Sequence, residues 1–186
     1  MMSIRPIVIL TILIVAFTFN SSTAGSYIER HRGLYLGLGG GFGSAQFKIN
    51  ELSKSDRISG MTYNFRTGVA ANDKILFGLE IDVWHKNDEG IVTQYNNYGF
   101  CMIGYLDDRF YIKSGLSITK AYKEINNTFI EDPESKSGRG ATIGVGIEER
   151  ILRNIAVLPS FQYIYQSYSG YTVNYFSFLV NICWFQ

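Results

Sequence analysis

Most of this 186-residue chain alternates apolar residues with polar or small ones, and the clearest example is Ile75 to Trp84. The odd-numbered positions of that segment are Ile, Phe, Leu, Ile and Val, whereas the even-numbered ones are Leu, Gly, Glu, Asp and Trp. A period of two is that of a β-strand, whose successive side chains point to opposite faces. The chain is therefore predicted to be all-β.

The same alternation predicts eight strands in the chain. They are placed at residues 33–43, 61–69, 75–84, 91–106, 109–121, 138–148, 155–166 and 171–185. Most have about ten residues, enough to cross a bilayer at a tilt, whereas strands of soluble proteins average about five or six. Longer and shorter connections alternate, as expected for external loops and periplasmic turns, with the short last loop (167–170) as the exception.

The composition of the two strand faces favours a membrane barrel over a soluble sandwich, which also alternates. One face is almost wholly apolar and is rimmed with Tyr, Phe and Trp, whereas the other holds Gly, Ser, Thr, Asn, Gln and few charges. Because lipid does not tolerate an open sheet edge, eight such strands are expected to close. The predicted fold is an eight-stranded antiparallel up-and-down transmembrane β-barrel.

The N-terminus has the pattern of a cleavable signal peptide. Arg5 is the only charge before residue 29, an apolar run follows from Ile7 to Phe17, and Ser22 and Ala24 supply the small residues of a cleavage site. The run is short for a membrane anchor, which needs about 20 apolar residues. We expect a signal peptide at 1–24 and a barrel domain at 25–186. An even strand number then places both termini in the periplasm and the protein in the bacterial outer membrane.

Charge and cysteine content exclude several functions. The signal peptide holds one of the 17 basic residues and none of the 16 acidic ones, so the remainder is formally neutral and offers no basic surface to nucleic acid. Cys101 and Cys183 lack metal-ligand spacing and face inward from opposite walls, so free thiols are expected. No metal or cofactor is predicted.

Five charges fall on the inward phase and form the predicted lumen charge network: Arg66, Glu80, Asp82, Lys113 and Glu148. Buried charges of mixed sign are expected to pair. A tight turn at Asn72 to Lys74 places Arg66 opposite Glu80, and Asn64 opposite Asp82. Lys113 and Glu148 are expected to join from the far wall. Because eight strands enclose room only for side chains, we predict a plugged lumen, with a gated ion path or narrow porin as the alternative.

The first strand carries glycine at positions 37, 39, 41 and 43. A phosphate-binding loop needs glycines between a strand and a helix, which this segment does not offer. Glycine at every second position inside a strand is instead predicted to make room for bulky inward neighbours.

The two histidines are the remaining candidates for chemistry. His31 precedes the first strand, near the predicted periplasmic rim, and His85 lies at the outer end of the third strand. A lipid-modifying barrel enzyme would pair a histidine with a serine. No serine flanks His85 at i±2, although Ser167 or Ser169 could approach from elsewhere. We favour an interfacial histidine without a catalytic role.

Loops 44–60 and 122–137 are polar and carry both signs of charge. External loops commonly carry recognition, so a host or surface ligand is a predicted partner there. The same loops are also compatible with solvated caps that have no partner.

The chain resembles the eight-stranded outer-membrane barrels of the OmpA-like and porin-like surface-antigen type over its whole mature length. The resemblance is carried by LYLGLGGGFG (Leu34 to Gly43), FRTGVAANDKILFGLEIDVW (Phe65 to Trp84), GATIGVGIEERILRNIAVLPSFQYIY (Gly140 to Tyr165) and the aromatic last strand. These are patterns rather than catalytic signatures. One departure is that Phe185 is penultimate, whereas family members usually end on an aromatic residue.

This resemblance implies an integral outer-membrane protein that uses the secretion and barrel-assembly machinery during biogenesis. It also implies contact with outer-membrane lipid and lipopolysaccharide. Family members serve as structural components, adhesins, serum-resistance factors or small porins. We therefore expect a non-enzymatic barrel with a structural and surface-interaction role.

Overall fold

The computed structural model describes residues 31–49, 56–88, 90–125, 128–130 and 137–186, so the predicted signal peptide at 1–24 lies outside the described residues. The strands are β1 (Leu34–Ile49), β2 (Ile58–Asn72), β3 (Ile75–Asp88), β4 (Ile91–Tyr105), β5 (Phe110–Ile125), β6 (Thr128–Ile130), β7 (Gly138–Ile147), β8 (Glu149–Leu152), β9 (Ile155–Ser167) and β10 (Tyr171–Phe185). Among the described residues there is no helix with the length and apolar character needed to traverse a bilayer.

The strands close into a barrel. The order is β10, β1, β2, β3, β4, β5, β7 and β9, all paired antiparallel, and β9 pairs again with β10. β8 continues the line of β7 beyond a break at Glu148 and pairs with β9, while β6 adds a short piece to β5. The barrel wall therefore has eight positions, which confirms the predicted eight-stranded antiparallel architecture.

The pairing register fixes how steeply the strands tilt. From Gly37 the paired residues lead around the barrel through Arg66, Glu80, Gly99, Ser117, Gly140, Gln166 and Val173, and they return to β1 at Phe47. The return lies ten residues beyond the start. With about 4.8 Å between strands and about 3.3 Å per residue, that displacement corresponds to a tilt of about 40°. Residues that meet across the lumen are therefore not those that pair in register.

At one end of the barrel, called the turn end below, the strands are connected by tight turns. The turns there are Asp73–Lys74, residues 106–109 and residues 153–154. In the second of them, Asp107 Oδ1 accepts backbone hydrogen bonds from Arg109 (2.8 Å) and Phe110 (2.7 Å), and these bonds hold the pKa of the Asp107 carboxyl below its ordinary value. The third turn is shorter than the predicted 149–154 because Glu149–Leu152 continue the wall as β8.

At the opposite end, here the loop end, the strands run further than predicted. β1 and β5 end at Ile49 and Ile125 rather than at 43 and 121, and β2 begins at Ile58 rather than at 61. The polarity of the two faces reverses in this part of β1. Its outward phase carries Ser44, Gln46 and Lys48, and its inward phase carries the apolar Ala45 and Phe47. The outward apolar pattern therefore ends although the backbone ladder continues. The predicted recognition loops shrink accordingly, and residues 50–55, 126–127 and 131–136 within them lie outside the described residues.

Exposure follows the predicted phase along each strand. Leu38 is 61% exposed and Phe42 is 70% exposed, whereas Tyr35 on the other phase of β1 is 2% exposed. The buried core is therefore the barrel interior. It holds two apolar clusters, a floor cluster toward the turn end (Tyr35, Leu76, Ile103, Tyr105, Tyr111, Ala156, Leu158, Cys183 and Phe185) and a roof cluster toward the loop end (Ala45, Trp84, Tyr95, Ala121, Ile164, Tyr168, Val173 and Tyr175).

The inward glycines of β1 make room for large side chains, as the sequence predicts. A Cβ at Gly37 would lie 2.5 Å from Cys183 Sγ and 2.9 Å from Arg66 Cγ, and one at Gly43 would lie 2.9 Å from Trp84 Cδ1. Such distances are shorter than van der Waals contact, so any larger residue would displace these neighbours.

We predict that Gly37→Val lowers the free energy of unfolding by about 1–3 kcal/mol, because it overpacks the space between Arg66 and Cys183. Gly40→Val is the matched control, since a Cβ there meets only the Thr62 carbonyl oxygen at 3.9 Å. Urea unfolding in detergent micelles, followed by tryptophan fluorescence, measures both. Equal losses for the two variants would contradict the packing role of Gly37.

Candidate functional site

The middle of the barrel holds a hydrogen-bonded network of buried charged and amide side chains. Lys113 Nζ donates to Glu80 Oε1 at 2.6 Å and also to Gln162 Oε1. Arg66 Nε lies 3.8 Å from Glu80 Oε1, an ion pair without a direct hydrogen bond, and donates to Asn64 Oδ1 at 3.1 Å. All of these side chains are at most 4% exposed. The carboxylate of Glu80 is thus shared by two buried cations.

Asp82 takes part in the same network through amides. Its Oδ1 accepts from Asn64 Nδ2 at 2.7 Å and from Gln162 Nε2 at 3.0 Å. Asn64 Nδ2 also donates to Glu80 Oε1 at 2.8 Å, so one amide bridges both carboxylates. Asp82 therefore has neutral donors where Glu80 has cations.

The positions of the network residues follow from the register. β2 and β3 pair Arg66 with Glu80 and Asn64 with Asp82, as the hairpin geometry predicts, and a register shift between Ala70 and Asn72 absorbs the irregular turn. Lys113 comes from the opposite wall, where Gly144 and Ile103 are its paired neighbours. A Cβ at Gly144 would lie 3.0 Å from Gln162 Cβ, so this glycine makes room for the glutamine that accepts from Lys113.

Glu148 departs from the predicted network. Its Oε1 accepts from Arg150 Nε at 2.6 Å, and its Oε2 accepts from His31 Nε2 at 2.8 Å and from the Tyr105 hydroxyl. The structure therefore brings Arg66, Glu80, Asp82 and Lys113 together and leaves Glu148 in a second cluster at the turn end. The reason is that Glu148 interrupts the strand line between β7 and β8, beyond the level of Lys113.

Gln162 and His31 were missed from the sequence as members of these clusters, whereas the hairpin geometry had placed Asn64 opposite Asp82. Gln162 lies on the inward phase of the seventh predicted strand, so the alternation could have identified it as a network residue. No such signal exists for His31, since it lies outside the periodic segments.

The other sequence candidates lie apart from the network. Cys101 and Cys183 are buried free thiols. Among the described residues, no group of three or more His, Cys, Asp or Glu side chains could hold a metal ion. His85 lies on the outer face, and within the described chain no hydrogen bond joins it to a serine, although Ser44 and Ser59 share its groove.

That groove is an apolar feature of the outer face near the loop end. It has a volume of about 670 Å³, and the ring side chains that line it are Phe42, His85, Phe161, Phe176 and Phe178. The Arg57 guanidinium lies 4.8 Å from the Phe176 ring centroid. A cation therefore caps an apolar surface at this edge of the barrel.

Basic side chains recur on the outward phase just above the apolar band. They are Lys48, Arg57, His85, Lys120 and Arg139, here called the basic girdle. Asp88, at the loop end of β3, belongs instead to the inward phase of that strand. The turn end differs, since Arg109 there lies 3.6 Å from Glu149.

Comparison with solved structures identifies proteins with this fold. Neisserial surface protein A superposes with a TM-score of 0.69 at 13% identity, and the match covers 85% of this chain and 100% of that one. Ail, the attachment invasion locus protein of Yersinia pestis, superposes with a TM-score of 0.54 at 12% identity, covering 82% of this chain and 99% of that one. No family model matches the sequence, and no curated protein matches it.

This is the fold of small outer-membrane barrels. The resemblance stated from the sequence is therefore confirmed for the fold. At identities this low the likeness gives no information about ligands or activity, which have to be argued from the chain's own residues.

We predict that Glu80→Gln is much more destabilising than Asp82→Asn, although each exchanges a carboxylate for an amide of the same shape. Removal of the Glu80 charge leaves Lys113 and Arg66 buried without their counter-ion, which costs about 3–5 kcal/mol of unfolding free energy. The Asp82 exchange alters hydrogen bonds to neutral amides and costs about 1 kcal/mol. Urea unfolding in micelles compares them. A larger loss for Asp82→Asn would refute the assignment of Glu80 as the shared counter-ion.

Proposed function

We propose that this protein is a non-enzymatic, integral outer-membrane β-barrel, with a closed lumen, that contributes to the envelope structurally and through its outer loops. The observation that carries the proposal is the reversal of polarity across the wall. Large apolar side chains such as Leu79 (64% exposed) and Leu116 (74% exposed) face outward, whereas charged ones are buried inside. In water this arrangement would be strongly unfavourable, and in lipid it is the required one.

The contents of the lumen support closure to ions. The charged network lies between the floor cluster and the roof cluster, both built from buried aromatic and aliphatic side chains. Trp84, for example, is 1% exposed and donates to the Gly43 carbonyl oxygen at 3.3 Å. An ion would have to displace both clusters and compete with paired charges, so a narrow porin is the less favoured alternative.

The basic girdle supports an orientation and a lipid partner. Cations placed above an apolar band suit the phosphate groups of lipopolysaccharide in the outer leaflet, because charge-assisted hydrogen bonds to phosphate are strong. The groove beside Arg57 offers an apolar surface of the size of an acyl chain. In this orientation the loop end faces outward, and both chain ends lie in the periplasm.

The outer loops supply the surface-interaction role. They extend from β-strands that continue past the girdle, so a rigid wall would present them to a host or surface ligand. Export by the secretion machinery and insertion by the barrel-assembly machinery would precede this role. A lipid-modifying activity at His85 is not favoured, because within the described chain that histidine has no hydrogen-bonded serine.

We predict that the protein extracted from membranes shows heat-modifiable gel migration and forms no large, steady channels in planar bilayers. The first result reports a closed barrel and the second reports a closed lumen. Solubility without detergent, together with unchanged migration after boiling, would refute the membrane barrel. Steady channels would refute the closed lumen alone and favour the porin alternative.

We predict that the double variant Lys120→Glu, Arg139→Glu binds lipopolysaccharide at least about tenfold more weakly than the unchanged protein. Fluorescence anisotropy with labelled lipopolysaccharide and detergent-solubilised protein measures the binding, and added salt should reduce the difference between the two proteins. Lys74→Glu, at the turn end, is the control and should bind normally. If Lys74→Glu has the larger effect, the proposed orientation is wrong.

A further inference from the structure

His31 is held against the turn end of the barrel although it precedes the first strand. It is 7% exposed, its ring stacks on Tyr105 with centroids 4.1 Å apart, and it meets Phe185 edge-on at 5.2 Å. The Phe185 ring is covered on another side by the Arg150 guanidinium at 4.5 Å. The imidazole therefore packs onto the floor cluster at the turn-end mouth of the lumen.

Both ring nitrogens of His31 face acceptors. Nδ1 lies 2.9 Å from the backbone carbonyl oxygen of Asp73, which cannot donate. Nε2 lies 2.8 Å from Glu148 Oε2. The other contacts of Glu148 come from donors, Arg150 Nε and the Tyr105 hydroxyl, so its carboxyl group is an ionised acceptor. An imidazole satisfies both partners only when it carries a proton on each nitrogen.

Other titratable groups surround this pair. Tyr105 (β4) and Tyr111 (β5) lie with ring centroids 5.6 Å apart, Cys183 (β10) belongs to the same cluster, and Arg150 (β8) remains charged at every relevant pH. Because the arginine balances the Glu148 carboxylate, the imidazolium is not required for charge neutrality. His31 can therefore lose one proton without leaving the Glu148 carboxylate unpaired, because Arg150 still contacts it.

We propose that the His31 side chain is a proton-dependent latch that covers the turn-end mouth of the barrel. With two protons, His31 bonds both the Asp73 carbonyl and Glu148. With one proton, one nitrogen lone pair faces an oxygen lone pair, so one bond is lost and the latch loosens. The proposal rests on the closed lumen proposed above and adds a pH-regulated element to it.

Cys183 provides a native reporter for this mouth, because it is 1% exposed within the floor cluster that His31 covers. In full-length protein with Cys101→Ala, the rate of Cys183 modification by a small methanethiosulfonate reagent is measured between about pH 5 and pH 9. His31→Phe keeps the stacked ring and removes both hydrogen bonds. At the acidic end it should react at least about tenfold faster than the control protein, which carries only Cys101→Ala and retains His31. At the alkaline end the difference between the two rates should be smaller, because the singly protonated imidazole keeps only one of its two hydrogen bonds.

Thiol reactivity increases with pH in both proteins, so the ratio of the two rates is compared because this common increase cancels in it. His85→Phe, which changes the only other histidine of the chain, should match the control at every pH. Gel migration shows that each variant is folded. A ratio near one at acidic pH, or a ratio that does not change with pH, would overturn the latch. If the control itself reacts at acidic pH as fast as urea-unfolded protein, the closed lumen is wrong instead.

Discussion

Closure of the sheet with a displacement of ten residues is the constraint on which the rest of this molecule depends. It leaves no unpaired strand edge, which is what lipid requires of a β-sheet. With eight strands it also sets a diameter that side chains can only just fill. The interior therefore has to be packed like a protein core, even though half of its residues are polar. This sequence fills the interior with large side chains by placing glycines beside Arg66 and Trp84. It also places the Asn64 amide between the carboxylates of Glu80 and Asp82.

The sequence is informative where the pattern is local. Period-two alternation identified all eight wall positions and the phase of each, and hairpin geometry alone placed Arg66 opposite Glu80. Strand ends at the loop end were missed because the outward face becomes polar there, as at Lys48 and Lys120, so the outward apolar pattern ends before the hydrogen-bonded strand does. The extension of the wall to Leu152 was hidden for a different reason, since the charged run Glu148-Glu149-Arg150 interrupts the alternation.

Contacts across the lumen could not be predicted in the same way. Which residue of β5 reaches Glu80 depends on the displacement of the whole barrel, and no single hairpin reveals it. Lys113 does reach Glu80, whereas Glu148, on the same predicted phase, stops at the turn end and bonds His31. His31 itself lies in a segment without alternation, so only the folded chain shows what it contacts.

The charged network is better understood as a device for register than as a source of stability. A buried ion pair seldom stabilises a protein relative to a well-packed apolar pair, because desolvation offsets the attraction. A slip of one residue in any strand, however, would turn its inward set to the outer face. Arg66 or Lys113 would then lie in lipid, at about 2–4 kcal/mol each near the midplane. Since β2, β3 and β5 each carry such a charge, a slip of register in any of them is unfavourable. The glycine-rich β1 carries no inward charge, and it is paired with β2 on one side and with the aromatic β10 on the other.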